Sequence, residues 1–470
     1  MSEFFYKGDE NTLDDQKEVN KDVNPNKRIT DAFLKVLDNK NLSFLLGSGC
    51  SSYLIDNENP IVDVATSSEE TSSTSVQKNK QKEIGIPVMA PMAQEFYNSS
   101  DFTNQKDWLK NQLKINVDDK VFKFNLEKFL STLHSLSFYH STIASQIEGN
   151  EKGSTEKKNE EKSHAETFES LDERDKINSI IKLVRDFILK KCLNESNTKP
   201  SADREANDTP LIEVYKQFYR KLLTRNSTLP RLNIFTTNYD LYSEKAMDLL
   251  GIHYVNGFTG GISKYFNPAI FNYALAEKMD LSQSKWSVID NFFYLYKIHG
   301  SVNWIEAEGE NKLFKVKEIQ EPNFCQLKDE QTIMIHPTPL KYNASLGSPY
   351  SDLFREFQKK LMQNNNILVT IGYSFSDEHI NNIIFQAFTI PSFRLIVIGE
   401  PTENNAIGNL RKLKDSRIWI IGEKVEAENG STPPLHFFKR FVAEILPDLT
   451  AEDLDKKMEE TIKSLKNIMA

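Results

Sequence analysis

LSFLLGSGCSS, residues 42–52, sets five mostly apolar residues directly against two glycines separated by one residue. A run of that length, closed by a glycine turn, predicts a buried strand. The same signature recurs along the chain. Apolar runs at 232–236, 293–298, 333–335, 367–371, 395–398 and 418–421 predict further strands, and helical spacing over 241–250, 353–361, 378–388 and 404–413 separates several of them. Strands alternating with helices predict an α/β fold: a mostly parallel sheet with helices on both faces. Such sheets bind ligands outside the carboxyl ends of their strands, so chemistry is expected in the residues just after each run.

Between the first two strands the pattern changes. Residues 63–82, 149–165 and 194–210 are too polar to bury the surface that would offset their ordering. Apolar residues at helical spacing over 122–138, 177–193 and 211–223 flank them. Residues 97–230 are therefore read as an inserted helical subdomain with polar loops, inside a main domain over 31–425. Residues 1–30 are read as a polar N-terminal tail and 426–470 as C-terminal helices.

Composition excludes several classes. With 67 acidic and 58 basic residues the formal net charge is -9, so no nucleic-acid partner is expected from phosphate neutralisation. No apolar run approaches the length of a membrane span and the first residues, MSEFFYKGDENTLDD, lack a basic and apolar leader, so a cytoplasmic protein without membrane attachment is expected. Cys50, Cys192 and Cys325 lie far apart, which leaves neither a disulfide framework nor a cysteine zinc site, and no metal is expected.

Five strand ends carry polar or glycine-rich residues. Gly47-Ser48-Gly49-Cys50-Ser51 permits a close backbone approach to a pyrophosphate, with a helix N-terminus expected to follow. Taken alone, it is equally a strand-to-helix turn. Thr236-Thr237-Asn238-Tyr239-Asp240 places an amide and a carboxylate two residues apart, suited to holding a carboxamide or ribose, or simply to capping the next helix. His299-Gly300 puts an imidazole at a strand end, where its ordinary pKa suits acid-base work. His336 and His379 are read as core or capping histidines. Gly372-Tyr373-Ser374 is a candidate for a second phosphate or ribose contact, and Gly399 for the adenine.

In this order, the segments resemble those of the sirtuin superfamily, which carries G-A-G-x-S, T-Q-N-[IV]-D, H-G and G-T-S in sequence on a Rossmann-like fold that binds NAD. The resemblance spans residues 47–399. It implies that Asn238 helps position the nicotinamide ribose and a water, that Asp240 contacts the carboxamide, and that His299 acts on the ribose hydroxyls. Two departures bear on activity. Deacylase sirtuins continue the glycine loop with G-I-P-D-F-R, whereas the nearest segment here is Gly85-Ile86-Pro87-Val88-Met89-Ala90, displaced and lacking Asp, Phe and Arg. Deacylases also carry four zinc-binding cysteines after H-G, and only Cys325 falls there, so no zinc ribbon is expected.

Residues 125–131, NLEKFLS, instead resemble a segment of bacterial sirtuin-like NAD hydrolases of anti-phage defence. That resemblance implies an NAD glycohydrolase releasing nicotinamide and ADP-ribose. Protein deacylation, ADP-ribosyl transfer and non-catalytic nucleotide sensing are the rival expectations. Only 71 residues follow Gly399, too few for a fused sensor, so control in trans is expected. Self-assembly into a homo-oligomer is one route, and a HerA-type ATPase is the partner the resemblance implies. An apolar stripe over 453–469, Leu454, Met458, Ile462, Leu465 and Ile468, is a candidate surface for such assembly.

Overall fold

The computed structural model describes residues 3–14, 24–55, 82–150, 172–193, 211–280, 285–307, 315–328, 332–334, 348–424 and 433–448. Its frame is a nine-stranded sheet. In chain order the strands are β1 (Glu3–Lys7), β2 (Glu10–Asn11), β3 (Asn41–Leu46), β4 (Asn233–Thr236), β5 (His253–Val255), β6 (Phe292–Lys297), β7 (Asn366–Ile371), β8 (Arg394–Ile398) and β9 (Ile418–Glu423). Their spatial order is β2-β1-β9-β8-β7-β3-β4-β6-β5. Every pairing from β9 to β5 is parallel, and β1 alone joins β9 and β2 antiparallel. A mostly parallel α/β sheet is what the alternating pattern predicts, and its Rossmann-like character is what the resemblance implies.

Successive residues of the central strands bury on opposite faces. Phe44 and Leu46 join the core under one face, and Leu45 joins the core under the other; Ile367 and Val369 part from Leu368 in the same way. Strands covered on both sides need apolar residues at every position, which is why their sequences run without alternation. The first face is covered by Pro25–Leu37 and Leu211–Leu223, through contacts such as Phe44–Phe218 with ring centroids 5.7 Å apart. The second is covered by Tyr350–Leu361, Glu378–Ala387 and Ala406–Lys412.

Two expectations are corrected, and a third element falls in a separate sheet. Residues 3–7, assigned to a polar tail, form β1, because Phe4, Phe5 and Tyr6 are consecutive and all bury against the sheet edge; Phe5 meets Trp419 of β9 at 5.4 Å. The average composition of residues 1–30 conceals that short aromatic run. The helix Leu211–Leu223, assigned to the insertion, packs on the sheet itself through Phe218 and Tyr219. The strand expected at 333–335 lies at Thr332–Met334 and belongs to a second, five-stranded sheet built around Gly300–Glu306.

The inserted helices Leu126–Asn150 and Glu173–Cys192 pack on each other. They share an aromatic core of Phe96, Phe102, Phe129 and Phe187, with centroids 4.7 to 5.7 Å apart where they meet. Residues 63–81, 151–165 and 194–210 of the polar stretches, and the stripe at 453–469, lie outside the described residues. Among the described residues, no helix is long and apolar enough to cross a membrane.

The second core is tied together by Phe235, fully buried, whose ring stacks on Tyr296 at 4.5 Å and meets Phe357 edge-on at 4.7 Å. Phe235→Ala is expected to cost about 3–5 kcal/mol through lost burial and the cavity left behind. Urea unfolding should show a lower midpoint at an unchanged slope.

Candidate active site

The parallel strands all end at one edge, so Gly47, Thr237, Ile298, Gly372 and Gly399 emerge on the same side of the molecule. Strand order reverses where β3 lies between β7 and β4. A crevice forms at such a reversal, outside the carboxyl ends of the strands. Here it is a cavity of about 770 Å³, within the usual range for a small-molecule or cofactor site.

The two glycine loops are pressed together. Gly47 N donates to Ile371 O at 2.9 Å and Gly49 N to Gly372 O at 3.0 Å. A Cβ on Gly47 would stand 2.4 Å from Gly372 O, and one on Gly49 would stand 2.9 Å from Gly372 Cα. Gly372 itself has φ +61°, a conformation that side chains disfavour. The glycines are thus demanded by loop against loop rather than by an open path for a ligand. The helix expected after Gly49 is also absent: Ser48–Cys50 is a single tight turn, and Ser52–Ile55 follows as a strand paired with Lys82–Gly85. That pairing returns Gly85-Ile86-Pro87 to the glycine loop, with Ile86 N donating to Ser51 O at 2.8 Å.

Asn238, Asp240 and Ser51 form one buried network. Asn238 Nδ2 donates to Gly47 O at 2.9 Å and to Ser51 Oγ at 2.8 Å. A backbone carbonyl only accepts, so this contact fixes which way the amide points. Both amide hydrogens are committed, and Oδ1 is the polar atom Asn238 offers to a ligand. Ser51 Oγ donates in turn to Asp240 Oδ2 at 2.5 Å, while Asp240 Oδ1 accepts Tyr242 N at 3.1 Å, at the first turn of Tyr242–Leu249. The helix-start contact and the cavity-facing position are therefore both realised in Asp240.

His299, 5% exposed, faces the same cavity. Of the other candidates, Ser48, Gly49, Ser51, Thr237, Gly372, Ser374 and Gly399 line it. Gly47, Cys50 and Thr236 do not. Gly47 contributes its carbonyl to Asn238, Cys50 is wholly buried with Sγ donating to Ile371 O, and Thr236 Oγ1 donates to Leu46 O while accepting Asn238 N. His379 lies edge-on to Phe354, and His336 lies outside the described residues.

Several residues at the site carried no signal that sequence reasoning used. Lys297, at the end of the apolar strand β6, is 1% exposed and pairs with Glu244 at 2.9 Å. A charge closing an apolar run was the available clue, since a buried lysine needs a partner. Burial raises the Glu244 carboxyl, and Lys297 pulls it back. The cavity wall also takes in Asn125, Glu127 and Leu130 of the NLEKFLS segment singled out in the sequence, at the start of one inserted helix, with Ile188 and Cys192 from the other, which carried no signal. Leu189 packs with Leu241 and Val302, and Cys192 and Tyr239 lie against them, which seats the insertion on the loop that carries Asn238. Burial raises the Tyr239 phenol, and the Glu127 and Asp377 carboxylates add to that rise. His436 and Phe437 reach the cavity from the C-terminal segment, where no local motif marks them.

Residues 232–406 match the family model described as SIR2-like domain. The matched stretch takes in Asn238, Asp240, His299 and the Gly372 loop, and begins after the first glycine loop. This part of the chain is thus similar to the SIR2-like domain, a similarity that implies use of NAD. No curated protein matches the chain.

Two outcomes follow from the geometry. Gly49→Val should force the two glycine loops apart and cost about 1–3 kcal/mol, as overpacking does elsewhere; urea unfolding measures it. Burial pushes the His436 imidazole from 6.5 down to about 4, with Glu423 opposing. The unfolded chain therefore binds a proton that the folded chain refuses. That stability is fully present above pH 6.5 and is lost as pH falls towards 4. His436→Gln should flatten this acid limb when urea midpoints are followed from neutral pH down to about pH 4.

Proposed function

We propose that this protein is an NAD glycohydrolase, cleaving NAD into nicotinamide and ADP-ribose. The observation that carries the proposal is the convergence of Asn238 Oδ1, the Asp240 carboxylate and His299 in one cavity beside the two glycine loops. Nicotinamide leaves as a neutral molecule, so no acid is needed for its departure. The ribose develops oxocarbenium character, and the site must orient it, stabilise its charge and hold a water. Asn238 Oδ1, an acceptor by the commitment of its amide hydrogens, suits a water or ribose hydroxyl. Asp240 suits the carboxamide, and His299 the ribose hydroxyls. The glycine loops, Ser374 and Gly399 would hold the rest of the dinucleotide.

The wall formed by Asn125, Glu127, Leu130 and Cys192 favours water over a protein nucleophile, because it occupies one side of the cavity that holds His299. By resemblance of residues 125–131 to bacterial defence enzymes, the activity is assigned to NAD depletion during phage infection. Its control is assigned to self-assembly or to a HerA-type ATPase.

Purified protein incubated with NAD should release nicotinamide, measured by chromatography, with no stimulation by an acylated lysine peptide. His299→Ala and Asn238→Ala should each slow release by about two to four orders of magnitude. Asn238→Ala also deletes two hydrogen bonds between loops, so melting is measured beside turnover. A well-folded His299→Ala protein with wild-type turnover would remove the assigned histidine from the mechanism.

A further inference from the structure

We propose that Lys297 is a positioning residue for this site, setting the loop that carries Asn238 and Asp240 and the strand junction that carries His299 in one register. The proposal rests on the NAD-binding role proposed above. Its ammonium is buried and faces four acceptors. Glu244 Oε1 lies at 2.9 Å, Ser301 Oγ at 2.7 Å and Tyr239 O at 3.3 Å, and Asp240 O completes the set. Two of these are backbone carbonyls of the very loop whose side chains face the cavity. Ser301 lies two residues beyond His299, as Lys297 lies two residues before it. His299 is thus flanked on both sides by members of one network.

The network continues outward. Ser301 Oγ donates to Asn303 Oδ1 at 2.7 Å, and Asn303 Nδ2 donates to Ile319 O at 3.1 Å, in the region of the five-stranded sheet. On the other side Glu244 belongs to the helix Tyr242–Leu249, which begins directly after the Asn238 loop. One point charge therefore joins β6, that loop, that helix and the smaller sheet. Apolar residues of similar volume would fill the space with less desolvation, so a buried ion pair here is poorly explained by stability alone. Fixing the register of neighbouring groups is the best-attested use of such pairs. Lys297 is not among the residues that line the cavity, so it acts through Asp240, Asn238 and His299 rather than on the reacting atoms.

The test separates positioning from folding by comparing Lys297→Met with the double variant Lys297→Met/Glu244→Met in the full chain. The single variant leaves Glu244 buried without its cation and should melt lower. The double variant removes both charges and should regain most of the wild-type melting temperature. In both, kcat for NAD should stay down by about a hundredfold, the penalty expected when reacting groups are displaced by about 1 Å, while KM rises by no more than about tenfold.

A binding arm is independent of turnover. A non-hydrolysable carbocyclic NAD should lose about tenfold in affinity, the cost of a lost polar contact, while ADP-ribose, which lacks nicotinamide, should bind as to wild type. Recovery of turnover and of the affinity ratio along with melting in the double variant would show a structural role only and overturn the proposal. Equal loss of both ligands would overturn it as well. A wild-type protein that binds NAD but releases no nicotinamide would defeat the glycohydrolase assignment alone, and the affinity ratio would still judge Lys297.

Discussion

Backbone meeting backbone between Gly47–Gly49 and Gly372 is the constraint on which the site depends. The loops after β3 and β7 leave adjacent parallel strands, and any side chain at Gly47 would run into the Gly372 carbonyl. With no Cβ between them, the loops exchange the hydrogen bonds of Gly47 N and Gly49 N and act as one floor. The Gly47 carbonyl, pointing away from that junction, is then available to Asn238. A glycine requirement that looks like ligand recognition in sequence is met here by packing, and the polar network is built on top of it.

The legible part of the fold was the part in which one physical demand fills every position. Strands β3, β4 and β7 are buried on both faces, so their apolar runs stood out, and the five strand ends followed from them. Elements fixed by partners distant in sequence were not legible. Three aromatics make β1 a strand only because the edge of β9 is there to receive them. The turn after Gly49 gives way to a strand because Lys82–Gly85 comes back to pair with it across a long polar interruption. At the site, Asn238, Asp240 and His299 could be picked out by their place after strands. His436 could not, since it arrives from the far end of the chain, and Lys297 was marked only by a charge closing an apolar run, with nothing local to name its partner.

The insertion alters what the nine-stranded sheet presents to solvent. Its helices do not stand apart from the main domain: Leu189 and Cys192 share an apolar cluster with Leu241, Val302 and Tyr239. That cluster couples the cavity wall to the Asn238 loop by direct packing. Displacement of the insertion would therefore be felt at Tyr239 and Asp240 without any change in the sheet. Anything that moved the inserted helices would have a short mechanical route to the loop that carries Asn238.

The charges around the cavity point the same way. Asp240, Glu127, Asp377 and Glu400 line it, while none of its described lining residues is lysine or arginine. At the glycine-loop end the N–H groups of Gly47, Gly49, Cys50 and Ser51 are taken by the carbonyls of Ile371, Gly372, Gly47 and Ser48. The carboxylates and the committed Asn238 amide leave the other end rich in acceptors. For the proposed cleavage of NAD, an acceptor-rich end would complement a cationic nicotinamide ring in the ground state and a cationic ribose in the transition state. Preference for the second over the first requires fixed rather than mobile acceptors, because only groups already in place stabilise the developing charge without reorganising. The buried network of Ser51, Asn238 and Asp240 supplies that fixity, and the carbonyls of the loop above Lys297 extend it into the protein interior.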